Sequence, residues 1–291
     1  MKNLLVALVL SAAAVAQTPA PQAQPAQPAQ PAAQQPAAQQ PAAAQPAAPA
    51  QQKKEIKDPA EYNAYVGAVQ QQDPTAKISG LEAFLTQYPN SVMKEDALDL
   101  LMATYQQANN QAKVVETANK ILAANPDNVK ALVLLAYYDR AGQKWADAKQ
   151  HAERGLQALP KWTKPEGVSD ADFEKQKTQF SGLLSSVAGL SALQLKDYPA
   201  AQKGLRAAVE ADPKNVDKII ALGVAQSGAR QFREAIETFS KGMQVAPENS
   251  MLYRWRGHRY LSTRQFDKAS SDLRRALLLD SPMSNDPDPA E

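Results

Sequence analysis

Few residues in this sequence could do acid–base, nucleophilic or metal chemistry. It has two histidines and no cysteine, so neither a thiol nucleophile nor a thiolate metal site can form. His151 stands near Glu153 in a polar stretch typical of a solvated helix face, and His258 stands among arginines, whose charges oppose cation binding. The sequence lacks the zinc-protease, phosphate-loop, nucleophile-elbow and dinucleotide motifs. It therefore predicts a protein that is not an enzyme and uses no cofactor or metal.

The charge balance argues against two further classes of partner. Lys and Arg total 32 against 30 Asp and Glu, which gives a formal net charge of +2. Binding to nucleic acid or to an anionic membrane surface depends on an excess of basic residues. Neither partner is expected, so function must come from the shape and surface of the folded elements.

The first 16 residues predict a signal peptide. Lys2 is followed by an apolar run, and Ala14-Val15-Ala16 has the small-x-small pattern at which cleavage before Gln17 is expected. The run is shorter than the roughly 20 residues of a spanning helix, so a membrane tether would follow only from an uncleaved leader. The sequence predicts an exported protein, either periplasmic or secreted.

Residues 17–52 and 282–291 predict disorder. The first segment contains only Pro, Ala, Gln and one Thr, without charge, and its frequent prolines favour an extended polyproline chain with a reach on the order of 100 Å. It is either a spacer that holds the folded part away from a surface or an unselected insertion. The second segment, with Asp286-Pro287-Asp288-Pro289, is too polar and proline-rich to form a capping helix.

Residues 53–281 predict an all-α domain built from repeats. Apolar residues recur three and four positions apart, which is typical of amphipathic helices. The residues that end alternate helices, mostly prolines, also recur at a fixed interval. The intervals from Pro126 to Pro160, from Pro213 to Pro247 and from Pro247 to Ser281 are each 34 residues. A fixed period of this length indicates repeats, and six units fit into the domain.

The same residue types fall at the same phase in several units. Small residues occur where two helices would cross closely, with larger apolar residues around them. In the fifth unit these are Leu222-Gly223, Phe232, Ala235, Phe239 and Pro247. The matching sets are Leu135-Ala136, Gly142 in the turn, Trp145, Ala148, Ala152 and Pro160 in the third unit, Ala188-Gly189, Tyr198, Ala201, Leu205, Ala208 and Pro213 in the fourth, and Gly257, Tyr260, Phe266, Ala269, Leu273 and Ala276 in the sixth.

This combination of period, small pair, turn aromatic, second-helix alanine and terminal proline resembles the tetratricopeptide-repeat (TPR) family. The resemblance implies an all-α, right-handed superhelical solenoid of about six helix-turn-helix repeats. The second unit departs from the pattern, with a 37-residue proline interval and with Val114 and Ala118 at the usual small and aromatic positions. In the sixth unit Arg256 replaces an apolar residue, which indicates either a buried ion pair or a shifted helix face.

The resemblance also implies a binding site, a concave groove lined by the first helix of each unit. The family's inward positions fall on Lys130, Val133, Tyr137 and Arg140 in the third unit, Leu183, Ser186, Leu190 and Leu193 in the fourth, Asp217, Ile220, Val224 and Ser227 in the fifth, and Met251, Arg254, His258 and Leu261 in the sixth. An apolar middle between basic ends fits a protein or peptide segment with apolar anchors and an acidic part. The alternative is that neighbouring helices cover these apolar residues and the arginines are ordinary solvated charges.

The fourth unit carries an insertion, because Pro160 to Pro213 spans 53 residues. Ser169 is a suitable N-cap for a first helix from Asp170 to Leu195, two or three turns longer than its neighbours. Trp162 is then either the apolar anchor of a projecting docking arm or a side chain that packs the inserted loop onto the solenoid.

The last helix predicts a second kind of interaction. It ends in Ala276-Leu277-Leu278-Leu279 without a capping helix after it, although the ends of a solenoid need a polar outer face. Leu277 and Leu278 are therefore candidates for a homo-oligomer interface, unless nearby arginines screen them. The alternative function is a self-assembling structural protein of the envelope.

Overall fold

A computed structural model describes residues 54–165 and 167–281, and within these ranges the chain forms twelve α-helices, a short 3₁₀ turn and no strand. The helices are α1 (Pro59–Val69), α2 (Pro74–Gln87), α3 (Lys94–Gln107), α4 (Gln111–Ala124), α5 (Val129–Ala141), α6 (Trp145–Ala158), α7 (Asp170–Gln194), α8 (Tyr198–Ala211), α9 (Val216–Gly228), α10 (Phe232–Val245), α11 (Ser250–Ser262) and α12 (Phe266–Asp280). None of these helices combines the length and the apolar character that a membrane span requires. The predicted signal peptide, linker and tail lie outside the described residues and stay predictions.

The helices form six consecutive pairs, from α1–α2 to α11–α12, and each helix packs against the next along the chain. The 3₁₀ turn at Leu159–Lys161 follows α6 and starts the longer connection to α7. The all-α solenoid of six repeats is thereby confirmed.

Side-chain caps fix where most of the helices begin. An N-cap side chain that accepts a hydrogen bond from a first-turn N–H group satisfies one of the donors that has no partner within the helix. Eight helices begin in this way, with the caps Asp58, Asp73, Asn110, Asn128, Ser169, Asp197, Asn215 and Asn249.

The turn inside each repeat from the second to the sixth contains one residue in the left-handed region. These residues have φ between 54° and 60° and none is glycine: Asn109, Gln143, Lys196, Arg230 and Arg264. Gly142 lies in the turn of the third repeat, as its sequence predicts, with φ −83°, and the following Gln143 takes the positive φ. Because the strained position carries a long polar residue in four of the five turns, composition alone did not reveal it.

Small residues let the paired helices cross closely, as the repeat pattern predicted. A Cβ atom added to Gly223 would lie 2.4 Å from the ring of Phe239, and one added to Gly189 would lie 2.7 Å from the backbone nitrogen of Leu205. The second-helix alanines are fully buried at the same crossings: Ala148, Ala201, Ala235 and Ala269. The predicted packing phase is confirmed in the third to sixth repeats.

Arg256 in α11 forms a buried ion pair, one of the two outcomes that the sequence left open. Its guanidinium donates two hydrogen bonds to the Asp272 carboxylate, at 2.7 and 2.8 Å, and a third to the Ser240 hydroxyl at 2.9 Å. The Asp272 side chain is only 8% exposed. Hydrogen bonding to Asp272 raises the pKa of Arg256 above its ordinary value. The pair joins α11 to α12 and, through Ser240, to α10.

The long helix α7 runs from Asp170 to Gln194 with Ser169 as its N-cap, one residue shorter than predicted. The ring of Trp162 lies 4.9 Å from that of Phe173 and stacks at 5.5 Å on that of Phe180, which is fully buried. Trp162 therefore packs the inserted loop onto the start of α7, and it is not a free anchor for a partner.

Candidate protein-binding surface

One side of the solenoid is formed by the first helices of the repeats. From the third repeat onward these helices contact each other directly, α5 with α7, α7 with α9 and α9 with α11, and the second helices make no comparable contacts. In a curved stack, the helices that approach one another most closely lie on the inside of the curve. We call the exposed side of α5, α7, α9 and α11 the inner surface.

The middle of the inner surface is aliphatic. Leu190 and Leu193 of α7 and Ile220 and Val224 of α9 are half-buried and pack against buried residues beneath them. Leu183, one turn earlier in α7, is also half-buried, against the core of the first four repeats. These side chains are thus fixed in position by the core and still present part of their apolar area to solvent.

The α5 end of the inner surface differs from the sequence-based expectation at two residues. Val133 is fully buried, so it supports the surface and cannot contact a partner. Lys130 donates a 3.1 Å hydrogen bond to Asp99 of α3. Burial raises the pKa of the Asp99 carboxyl above its ordinary value, and the nearby Lys130 only partly offsets this effect. Tyr137 packs edge-on against Tyr138, and Arg140 is half-buried without an ion pair to any described residue.

The α11 end is the most exposed part of the inner surface. Met251 is 40% and Leu261 is 42% exposed, and His258 between them is also exposed. Arg254 forms an ion pair with Asp280 at the end of α12. The two basic ends predicted from the sequence are therefore each partly neutralised, because Lys130 at the α5 end pairs with Asp99 and Arg254 at the α11 end pairs with Asp280.

The other histidine is not the solvated residue that the sequence suggested. His151 Nδ1 lies 2.8 Å from a carboxylate oxygen of Asp139 in α5, and the His151 side chain is only 18% exposed. This contact joins the two helices of the third repeat. Among the described residues, no group of three or more His, Asp and Glu side chains is arranged to hold a metal ion.

A cleft of about 760 Å³ lies away from the inner surface, between α2, α3 and α4. Leu98 and Leu101 contribute to its apolar lining, and its charged residues include Lys113, Glu116 and Lys120. Hydrogen bonds from both lysines lower the pKa of Glu116 to about 2. No sequence motif indicates this cleft, although the 37-residue proline interval marks the same junction of the first and second repeats.

Comparisons with known proteins identify the fold through structure and not through sequence. No family model matches the chain, and no curated protein matches it. The solved structure of MamA AMB-1 has a TM-score of 0.54 and 19% identity, and it covers 66% of this chain and 95% of its own. YrrB, described as a TPR protein with an unusual peptide-binding site, has a TM-score of 0.53 and 15% identity over 69% of this chain and 92% of its own. MamA MSR-1 has a TM-score of 0.51 and 19% identity over 65% of this chain and 97% of its own.

The repeated helix pairs and their shared packing phase define the class of this protein as a helical-repeat solenoid. Within this class, the chain has the tetratricopeptide-repeat fold. At these identities the structural likeness shows the fold alone, so a binding role has to be argued from the chain's own surface.

Proposed function

We propose that this protein is an exported, non-enzymatic adaptor that holds a segment of a partner protein on its inner surface. The observation that carries the proposal is the half-exposed aliphatic row of α7 and α9, which the core fixes in place and no described element covers. Ordered apolar side chains on a preformed surface bind an extended or helical segment without the entropy cost of ordering the site.

The charges around this row favour a particular kind of segment. Arg140 and His258 flank it without ion pairs to the described residues, and Asp217 is exposed at the start of α9. The segment that fits has two or more apolar side chains for the α7–α9 row and an acidic group near either end. Lys130 and Arg254 serve mainly to hold neighbouring helices together.

Site-specific photo-crosslinking tests the proposal on the protein expressed from all 291 residues in its own cells. We would place a photoreactive residue at Leu190 or Val224 of the inner surface, and as a control at Val245 at the end of α10, which is 40% exposed. A discrete crosslinked partner from the two inner positions and none from Val245 is expected. Equal crosslinking from all three positions would contradict the proposal.

A variant that adds negative charge to the inner surface gives the second arm of the test. Met251→Glu with Leu261→Glu changes two exposed residues of the inner surface, so the fold should be unaffected. We expect the crosslink at Leu190 to fall about tenfold or more, because two acidic groups then face the acidic segment. Val245→Glu, a matched exposed substitution on the other side, should leave it unchanged.

A further inference from the structure

The outer side of the last helix exposes large apolar side chains. Phe266 is 63% and Leu277 is 68% exposed. The two residues are eleven positions, or about three turns, apart and so lie on the same side of α12. We call the side of α12 that carries these two residues the trailing face. Its neighbour Leu278 is 62% exposed.

The repeat register shows what normally happens at the position of Leu277. Every earlier repeat also has an apolar residue there, and each of them is half-buried against the core: Leu85, Leu122, Leu156, Val209 and Met243. At the next position, that of Leu278, every earlier repeat has an exposed residue: Thr86, Ala123, Gln157, Glu210 and Gln244. The register therefore assigns Leu277 to an interface between repeats, and Leu278 to solvent.

The position of Phe266 leads to the same conclusion. Its counterpart Tyr198 packs so closely on Gly228 of the next repeat that a Cβ there would lie 2.1 Å from the ring. Its counterpart Phe232 lies under the guanidinium of Arg259, again in the next repeat, at 5.5 Å. Phe266 is thus half of a repeat-to-repeat contact whose other half is missing among the described residues.

The other half of such a contact is a stripe on a first helix. In α11 the stripe contains Leu252, Trp255 and Arg259, which meet Gly242, Phe239 and Phe232 of the preceding repeat. These three positions are spaced as one side of a helix.

The same three register positions in α1, the first described helix, are Ala60, Asn63 and Gly67, and all are exposed. A Cβ atom added to Gly67 would meet nothing within 4 Å, so there is room for a ring at the position where Arg259 receives Phe232. We call this stripe of α1 the leading face. It is uncharged and composed of small side chains, as an approaching helix requires.

Charge favours contact between the two faces and opposes contact between two trailing faces. Arg264, Arg274 and Arg275 in the last repeat are exposed and make no ion pair with the described residues. The leading end has unpaired Glu55 and Glu61 together with the cap Asp58, against the unpaired Lys57; the second described lysine, Lys54, is already paired with Asp96. Opposite charges across an interface attract, and two arginine-rich faces repel each other.

We propose that the trailing face of one molecule docks on the leading face of a second copy, so that copies associate head to tail as if the repeats continued. The chain's own residues 282–291 are a poorer occupant, because Met283 is their one large apolar residue. Head-to-tail contact leaves a free face at each end, so it propagates or closes into a ring. This inference is independent of the partner proposed for the inner surface.

Sedimentation velocity on the full chain over a range of concentrations tests the proposal. The wild-type protein should show a mass that rises with concentration and association that weakens as salt is added. Leu277→Glu should lower the association constant by at least about tenfold, and Leu278→Glu, its adjacent and equally exposed control, should not. A monomer at every concentration, or equal loss from both variants, would overturn the proposal.

Mixing two variants tests the direction of the contact. Phe266→Glu with Leu277→Glu removes the trailing face, and Ala60→Lys with Asn63→Lys places two positive charges on the exposed leading face, where they repel the arginines of the trailing face. Each variant alone should be monomeric, and an equimolar mixture should form a complex of two copies, because each supplies the face that the other lacks. Association of the Ala60→Lys, Asn63→Lys variant with itself would instead show a two-fold contact and refute the head-to-tail arrangement.

Discussion

At the scale of single residues, packing in this solenoid depends on a few positions that tolerate only one type of residue. The added Cβ at Gly189 would meet a backbone nitrogen and not a movable side chain, so the crossing of α7 and α8 requires glycine. Arg256 departs from the repeat pattern in its chemistry. It places a charge at a position where the fifth repeat has the apolar residue Leu222. The carboxylate of Asp272 makes that charge tolerable, because a buried ion is stable only when it is paired and hydrogen-bonded.

Breaking this pair should destabilise the last two repeats more than removing both charges. Asp272→Ala leaves the Arg256 guanidinium without its main partner in a half-buried site, and we expect the free energy of unfolding to fall by about 3 kcal/mol. Arg256→Leu combined with Asp272→Ala gives this position an apolar residue, like Leu222 in the fifth repeat, and should lose clearly less stability. Urea unfolding followed by circular dichroism measures both, and a double variant at least as unstable as Asp272→Ala would contradict this account.

At the scale of helices, neighbouring repeats are joined by caps that also form ion pairs. Asp197 accepts the N–H of Ala200 as the N-cap of α8, and its second oxygen accepts a 2.9 Å hydrogen bond from Lys149 of α6, in the preceding repeat. The hydrogen bonds from Lys149 and Ala200 hold the pKa of Asp197 below its ordinary value. One carboxylate therefore starts a helix and ties two repeats together.

The lowered pKa of Asp197 makes part of the stability depend on pH. A carboxyl group whose folded pKa lies below its unfolded value stabilises the fold above the unfolded value, about 3.9 for Asp, and loses this contribution as pH falls. Asp197→Asn keeps a capping oxygen but removes the charge. We expect the variant to be slightly less stable at pH 7 and to lose less stability than wild type between pH 5 and pH 3, measured by urea unfolding. An unchanged acid dependence would show that Asp197 contributes little to it.

At the scale of the whole molecule, the solenoid is quasi-one-dimensional, because each repeat contacts mainly its neighbours. Such an architecture has a long side surface and two ends, and both are sites of proposed contacts here. By the two proposals, the inner surface holds a segment of a different protein and the ends meet other copies of the same chain. The two contacts use different residues, so one molecule can make both at once.

Whether the predicted signal peptide is cleaved decides in which compartment these contacts would form. If residues 1–16 form a cleaved signal peptide, the mature protein begins at Gln17 and accumulates outside the cytoplasm. N-terminal sequencing of the protein from fractionated cells should find Gln17 in the periplasmic or extracellular fraction. Replacing Ala14 and Ala16 by bulky residues should block cleavage and leave a longer, membrane-associated form. A cytoplasmic protein that retains Met1 would refute export.

The sequence by itself determined the helical class, the number of repeats and the phase of their packing. These follow from local rules, because the period of 34 residues, the small pair at the crossing and the N-cap residues act within one repeat and recur in the next. The ion pair of Arg256 and the packing of Trp162 were each predicted only as one of two alternatives, since the choice depends on residues far away in the chain.

Only the tertiary structure decided which of the predicted surface residues are available. Val133 is buried, Lys130 and Arg254 are ion-paired with Asp99 and Asp280, and Leu277 is exposed because no described repeat covers it. Register gives the direction in which a helical side chain points, but exposure and pairing depend on the neighbouring repeat. The physical reason is that burial is a property of two elements in contact, and a sequence period describes one element at a time.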